Sequence, residues 1–230
     1  MNVTLFGSCR LNMIKHNNNI SDDINYTHST KEVIQMITFL QGELIIPHPY
    51  NRFCFRTSIC NKSHIDLNES YKTRFDKSDL CVIEICSTKT YIHNQFYLHH
   101  LCVDKRFPNH TVNTPSEIIN NFNIENQTEN EIENDILEIQ KILENKKLII
   151  VSHYNSTCNG KYIKSRNNLI NILDSICKKH NIHFVNPSNV LSKFSQDKVL
   201  QNDLGHYTDF GHDMFTKYMN DYIHSLFFEI

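Results

Sequence analysis

Tryptophan is absent from the sequence, and glycine and proline are scarce, at five each in 230 residues. Beside abundant Asn and Ile, that scarcity reflects a low-GC gene more than a function. The net charge is −2 and no large block of basic residues is present, which excludes an electrostatically driven nucleic-acid binder. No apolar run approaches the roughly 18 residues of a spanning helix. Asn2, Thr4, Gly7 and Ser8 interrupt the first apolar segment, so it does not form a signal peptide. A soluble, cytoplasmic chain with no membrane or nucleic-acid partner is the expectation. The eight cysteines include no C-x-x-C pair, which argues against a disulfide scaffold in a chain of this size. H-E-x-x-H and Cys/His zinc spacings are missing as well. His93, His99, His100, His110, His180, His183, His212 and His224 therefore read as structural or solvated, and no metal is expected. Residues 91–101 mix aromatics and histidines at helical spacing, which would turn His99 and His100 to different sides of a helix. No repeat, linker or composition break divides the chain, and its length suffices to bury about 70% of the unfolded surface. One domain over residues 1–230 is expected, standing alone or within a longer protein.

What is present is an alternation of strand-like and helix-like segments. Residues 3–6, 79–85, 147–152 and 182–185 are apolar runs of strand length, the second apolar almost throughout as in a central parallel strand. Glu84 is the exception there: a buried carboxylate needs a partner, and Arg56 is one candidate. Ser29-Thr-Lys-Glu32 is a capping box that opens an amphipathic helix ending near Gly42. Ile132, Ile136, Ile139 and Leu143 mark a surface helix within residues 125–144, and the run from Leu169 to Cys177 marks another. Residues 16–27 read as a polar loop, and residues 52–59 as a short strand or a loop. Successive βα units on a mostly parallel sheet account for this order.

Two stretches at opposite ends carry candidate chemistry. Near the C-terminus, Asp203-Leu-Gly-His206 precedes an apolar-periodic helix, so a carboxylate can hold one imidazole nitrogen and leave the other free. The plainer account is an Asx turn and a helix start capped by Thr208 or Asp209. At the N-terminus, the first strand runs into Gly7-Ser8-Cys9-Arg10 and then Leu11, Met13 and Ile14. A small nucleophile on such a turn meets unpaired N–H groups at a helix start, which would lower a thiol pKa. Either Cys9 or Ser8 can fill that place. Ligands of parallel sheets bind beyond the carboxyl ends of the strands. That rule gathers residues 7–10, the loop at Ser87, and the loop holding His153 and Asn155, two candidates for gripping a substrate carbonyl or hydroxyl.

Together the two motifs resemble the SGNH (GDSL-like) hydrolase superfamily, whose first block ends a strand in Gly-Asp-Ser and whose last is Asp-x-x-His followed by a hydroxyl residue and Gly. Here they stand as Gly7-Ser8-Cys9 and Asp203-Leu-Gly-His206-Tyr-Thr208-Asp-Phe-Gly211. The resemblance implies a three-layer α/β/α sandwich with a mostly parallel, flavodoxin-like sheet. The family serine falls on Cys9, which is similar to the Cys-bearing branch that includes acyltransferases of polysaccharide biosynthesis. The expected activity is thus acyl transfer, with acetyl-CoA as donor and a sugar, sugar nucleotide or glycan as acceptor, through Cys9, His206 and Asp203. An SGNH-type carbohydrate or lipid esterase, and a non-catalytic module retaining the fold, remain as alternatives. Arg56, Thr57 and Ser58 fall at the family's second block and are candidates for the oxyanion hole. Arg10, Lys161, Lys164 and Arg166 are candidates for CoA phosphates. The family's third block, Gly-x-Asn-Asp, falls at residues 86–89, which have neither the Gly nor the Asn.

Overall fold

The computed structural model describes residues 1–11, 14 and 26–227. Met13 and most of the expected loop over residues 16–27 lie outside the described residues. Strand β1 (Val3–Phe6) leads into the turn at Gly7. Helix α1 (Thr30–Gln41) starts at Ser29, whose Oγ accepts from Glu32 N while Glu32 Oε2 accepts from His28 N. It ends at Gly42, as the capping residues predict. Residues 52–59 are neither strand nor loop: two short helices, α2 (Tyr50–Phe53) and α3 (Arg56–Asn61), turn Phe53, Phe55 and Ile59 into the core. After α4 (Glu69–Asp76) comes β2 (Leu80–Ile85), buried at every position.

The helical spacing over residues 91–101 is also overturned. This segment is a β-hairpin, β3 (Lys89–His93) and β4 (Phe96–Tyr97), followed by a 3₁₀ turn at His100–Cys102. Two short helices, α5 (Pro108–Thr111) and α6 (Ser116–Asn121), lead to β5 (Asn123–Asn126), which pairs antiparallel with β3. Pairing across more than 30 positions therefore decides the structure of a stretch whose local pattern is helical. Helix α7 (Glu129–Ile142) follows a capping box formed by Thr128 and Glu131. Then come β6 (Lys147–Ser152), the small hairpin β7 (Thr157–Cys158) and β8 (Lys161–Tyr162), and α8 (Lys164–Lys179). The chain closes with β9 (His183–Val185), the single turns α9 (Ser188–Leu191) and α10 (Gln196–Val199), and α11 (Asp209–Phe227).

The main sheet has the order β1-β2-β6-β9 with every pair parallel, and a single parallel bridge joins Gly7 to Tyr26. With that bridge standing in for an outer strand beside β1, the order is the flavodoxin-like one. Side chains of the strands alternate between two cores. Cys81, Ile83, Ile85 and Ile150 join one with α1 and α7, while Leu80, Val82, Ile149 and Val151 join the other with α11. Helices thus cover both faces, and the molecule is a three-layer α/β/α sandwich. Each fully buried aliphatic side chain in those layers contributes about 1.5–3 kcal/mol. Among the described residues, no helix is long and apolar enough to cross a membrane.

Candidate active site

The first candidate stretch forms a turn braced from below. Gly7 has φ +151°, and a Cβ there would lie 2.6 Å from the Cβ of Glu84, so only glycine fits. Glu84 does not pair with Arg56. Its Oε2 accepts from Ser8 N at 2.8 Å and its Oε1 from Arg10 Nε at 2.6 Å, with both side chains buried. Burial alone would raise the Glu84 carboxyl, but Arg10 and Ser8 hold it below the usual carboxylate range. Ser8 Oγ accepts from Arg10 N at 3.3 Å, while Cys9 is partly exposed. No acceptor from another described residue meets the Cys9 N–H.

The second stretch is a closed loop. Leu200 and Tyr207 form an antiparallel bridge, and Gln201 N donates to His206 O at 2.9 Å. Within it, Asp203 Oδ1 accepts from the N–H groups of Gly205 and His206 at 2.9 Å each, and Asp203 Oδ2 lies 2.5 Å from His206 Nδ1. These bonds, the backbone one from His206 foremost, hold Asp203 down at about 2. Leu204 sits between them in the left-handed conformation with φ +58°, an uncommon place for a branched aliphatic residue. Its carbonyl accepts from Arg166 Nη1 at 2.6 Å, and the next carbonyl, of Gly205, from Arg10 Nη1 at 2.8 Å. Beyond the loop, Thr208 caps α11 through a bond from Gly211 N at 3.1 Å. Gly211 presses on the Val199 carbonyl, which a Cβ would approach to 2.2 Å.

Both stretches line one cavity of about 640 Å³, together with Arg56, Ser87, His153 and Arg166. Cys9 and His206 share it, although no hydrogen bond joins them among the described residues. The expectation of a depressed thiol is overturned. Burial raises the Cys9 pKa, and Arg10 and Arg56 only partly offset it. His153 is buried, with Nδ1 3.0 Å from Tyr154 O, and burial followed by Arg10 and Arg166 keeps it neutral. Ser87 Oγ accepts from Lys89 N at 2.9 Å.

Other candidates stand elsewhere. Thr57 and Ser58 lie in the first turn of α3 but not in the cavity wall, which Arg56 reaches while stacked 4.5 Å from the Tyr26 ring. Asn155 is outside the wall too: its Nδ2 donates to Asn167 Oδ1 at 2.8 Å and its N–H to Ser188 Oγ at 2.7 Å. Lys161 is exposed on β8, away from the cavity. Arg10 lines the cavity, but Glu84 and the Gly205 carbonyl occupy its guanidinium.

The residues that sequence reasoning did not select are His28, Lys89, His99, His100 and Arg106, all in the cavity wall. The hairpin and the 3₁₀ turn bring most of them there, and the helical reading of residues 91–101 concealed it. Burial, with His28 next in effect, lowers His100 to about 3. The one available signal was the density of His and Arg between residues 93 and 110.

Over 254 aligned residues the chain is 28% identical to the Vi polysaccharide biosynthesis protein TviD of Salmonella typhi. That alignment takes in 90% of this chain and 30% of TviD, so the chain spans under a third of the relative's length. Solved structures with a similar course include a GDSL-like lipase from Bacteroides thetaiotaomicron, at 12% identity and a TM-score of 0.47, covering 98% of this chain and 88% of the lipase. Another is a mutant of Axe2, an acetyl-xylooligosaccharide esterase from Geobacillus, at 11% identity and a TM-score of 0.42, covering 94% and 90% of the two chains. The turn at Gly7, the Asp203 to His206 loop and the sheet order that joins them fall within residues 1–117 and 109–224, which match the TviD N-terminal domain family, and the chain belongs to that family.

Proposed function

We propose that this chain transfers an acetyl group from acetyl-CoA to a sugar, sugar nucleotide or glycan through Cys9, His206 and Asp203. The observation that carries the reading is the meeting, in one cavity, of a cysteine at the end of β1 with a histidine already oriented by a carboxylate. Polysaccharide biosynthesis by the relative TviD supports a carbohydrate acceptor.

In this scheme His206 Nε2 takes the Cys9 proton as Sγ attacks the thioester carbonyl, so no standing thiolate is required. The C–S bond to CoA breaks and the proton passes to the leaving CoA sulfur. The acceptor hydroxyl then gives its proton to His206, attacks the Cys9 thioester, and leaves as an acetyl ester with the thiol restored. Cys9 suits the role better than Ser8, because the Ser8 hydroxyl oxygen is engaged by Arg10 N and a thioester keeps its transfer potential. The N–H of Cys9 stabilises the oxyanion, with Arg56 in the same wall taking the place of the family's Asn. Arg56 and Lys89 give the cavity wall positive charge suited to CoA phosphates, since Arg106 is paired with Asp104 and Arg166 is bonded to the Leu204 carbonyl.

Hydrolysis is the second reading. The His206 side chain is 52% exposed, so water can reach the base that would activate it. Incubation with acetyl-CoA followed by intact-mass measurement tests the proposal: an acetyl adduct that maps to Cys9 and is discharged by a carbohydrate acceptor supports transfer. Turnover of chromogenic acetyl esters without CoA, and no adduct from acetyl-CoA, would favour the esterase.

A further inference from the structure

We propose that His28, His99 and His100 form a binding site for a divalent transition-metal ion of the zinc class, in the wall of the cavity that holds Cys9. The inference is independent of acyl transfer. One ring nitrogen from each histidine lies within 4.8 Å of the others. The His99 and His100 rings stack at 4.5 Å, and His28 meets them edge-on at 5.0 and 4.6 Å. They come from two separate places, the residue before the α1 cap and the turn after β4, and only the fold joins them.

Packing alone does not explain the cluster. His99 is 1% exposed and its Nε2 has no hydrogen-bond partner among the described residues. A buried polar nitrogen left unpaired is destabilising by about 1–3 kcal/mol, so His99 Nε2 calls for a ligand. Three imidazoles with an open fourth position are a known donor set for zinc. At Zn–N distances of about 2.0–2.1 Å the nitrogens stand roughly 3.4 Å apart, so the rings draw together by about 1 Å on binding.

Glu32 supplies the carboxylate that commonly stands behind a ligating histidine. Its Oε2 is 3.5 Å from His28 Nδ1 and accepts from His28 N at 3.0 Å, which leaves Nε2 of His28 for the ion. His99 Nδ1 accepts from Leu101 N at a long 3.3 Å. Ligation through Nε2 puts the proton on Nδ1, which can then no longer accept from Leu101 N, so the 3₁₀ turn must release that weak contact when the metal binds. Arg56 and Arg106 in the same wall oppose a further positive charge, and of the two Arg106 is offset by its pair with Asp104 at 2.5 Å.

The test is calorimetric titration of the metal-stripped full chain with Zn²⁺, with Co²⁺ as a spectroscopic probe. One equivalent of Zn²⁺ should bind, and Co²⁺ should give the intense visible bands of a low-coordinate site. His28→Ala and His100→Ala, both only partly buried, should each weaken binding by about 100-fold, and Glu32→Gln by about 10-fold or more. If His99→Ala fails to fold, those variants still decide the matter. No saturable binding would overturn the proposal. So would unchanged affinity in folded His28→Ala and His100→Ala, or loss of binding in Cys9→Ala or Cys86→Ala, which would assign the ion to thiolates. None of these outcomes alters the acetyl-adduct test at Cys9.

Discussion

Arg10 donates from Nη1 to the carbonyl of Gly205 at 2.8 Å, across 195 positions of sequence. The residue after Cys9 thereby holds the residue before His206. The same guanidinium bonds Glu84 through Nε, so one buried ion pair at the end of β2 aligns both halves of the site. An arginine fits this place because its planar fork aims Nε at a carboxylate and Nη1 at a carbonyl in fixed directions, whereas a lysine offers only a single ammonium point.

Breaking that pair from one side leaves an uncompensated buried charge. Arg10→Met alone or Glu84→Leu alone should each lower stability by about 3–5 kcal/mol, measured by urea unfolding. The double variant should recover most of that loss while acyl transfer stays abolished, because an apolar pair packs without tying the two loops together. Equal stability in all four proteins would show that the pair holds neither loop.

Burial raises the Cys9 thiol, and the sign of that shift sets its reactivity. A thiol above its ordinary value is protonated at neutral pH, and its thiolate fraction grows as pH rises past that value. Iodoacetamide at pH 7 should therefore modify the exposed Cys60 and Cys158 before Cys9, with Cys9 labelling accelerating on the alkaline side. His206→Ala should leave the order unchanged. Preferential labelling of Cys9 at pH 7 would reveal a preformed thiolate instead.

Removal of the base should cost more than removal of its orienting carboxylate. His206→Ala should lower the transfer rate by about 10²–10⁴-fold, and Asp203→Asn by less, in single-turnover assays with acetyl-CoA. Asp203 is held at about 2, below its unfolded value, so the order it lends the loop is complete above the ordinary carboxylate range. That order is lost only as pH falls through about 2. Loss of activity between pH 5 and 7 thus belongs to groups other than the Asp203 carboxyl itself.

Gly211 admits no side chain. With the Val199 carbonyl 2.2 Å from where a Cβ would stand, Gly211→Ala must displace α11 or the α10 turn. A stability loss of about 1–3 kcal/mol is expected in thermal or urea unfolding, together with a loss of transfer activity as the adjoining loop shifts. A neutral Gly211→Ala would mean that α11 sits farther from α10 than described.

Much of the scaffold was legible because its signals are local. The runs at residues 3–6 and 147–152 are strands, and the capping residue Ser29 and the Ile132 to Ile139 spacing mark helices where they were expected. Residues 52–59 failed because Phe53, Phe55 and Ile59 suit either period in so short a run. Residues 91–101 failed because β5, more than 30 positions on, supplies the pairing that makes β3 a strand. In the candidate site, the Gly7 turn and the Asp203 to His206 loop stood out as motifs. The partner of Glu84 did not, because Arg10 reaches it only once β1 and β2 lie side by side.

The ring of bonds that closes residues 200–207 has a bearing on how the cavity breathes. The Leu200–Tyr207 bridge, the Gln201 to His206 bond and the two arginine contacts make His206 part of a rigid rim. The opposite rim is built differently: a three-residue 3₁₀ turn and the four-residue α5, which buries none of its side chains, carry His100, Phe107 and His110. Leu101, Cys102 and Val103 anchor its start in the core, whereas none of residues 104–111 is buried, and local opening draws on segments of this kind. In the proposed transfer, entry of the acceptor would then be timed by residues 104–111, while His206 keeps its place.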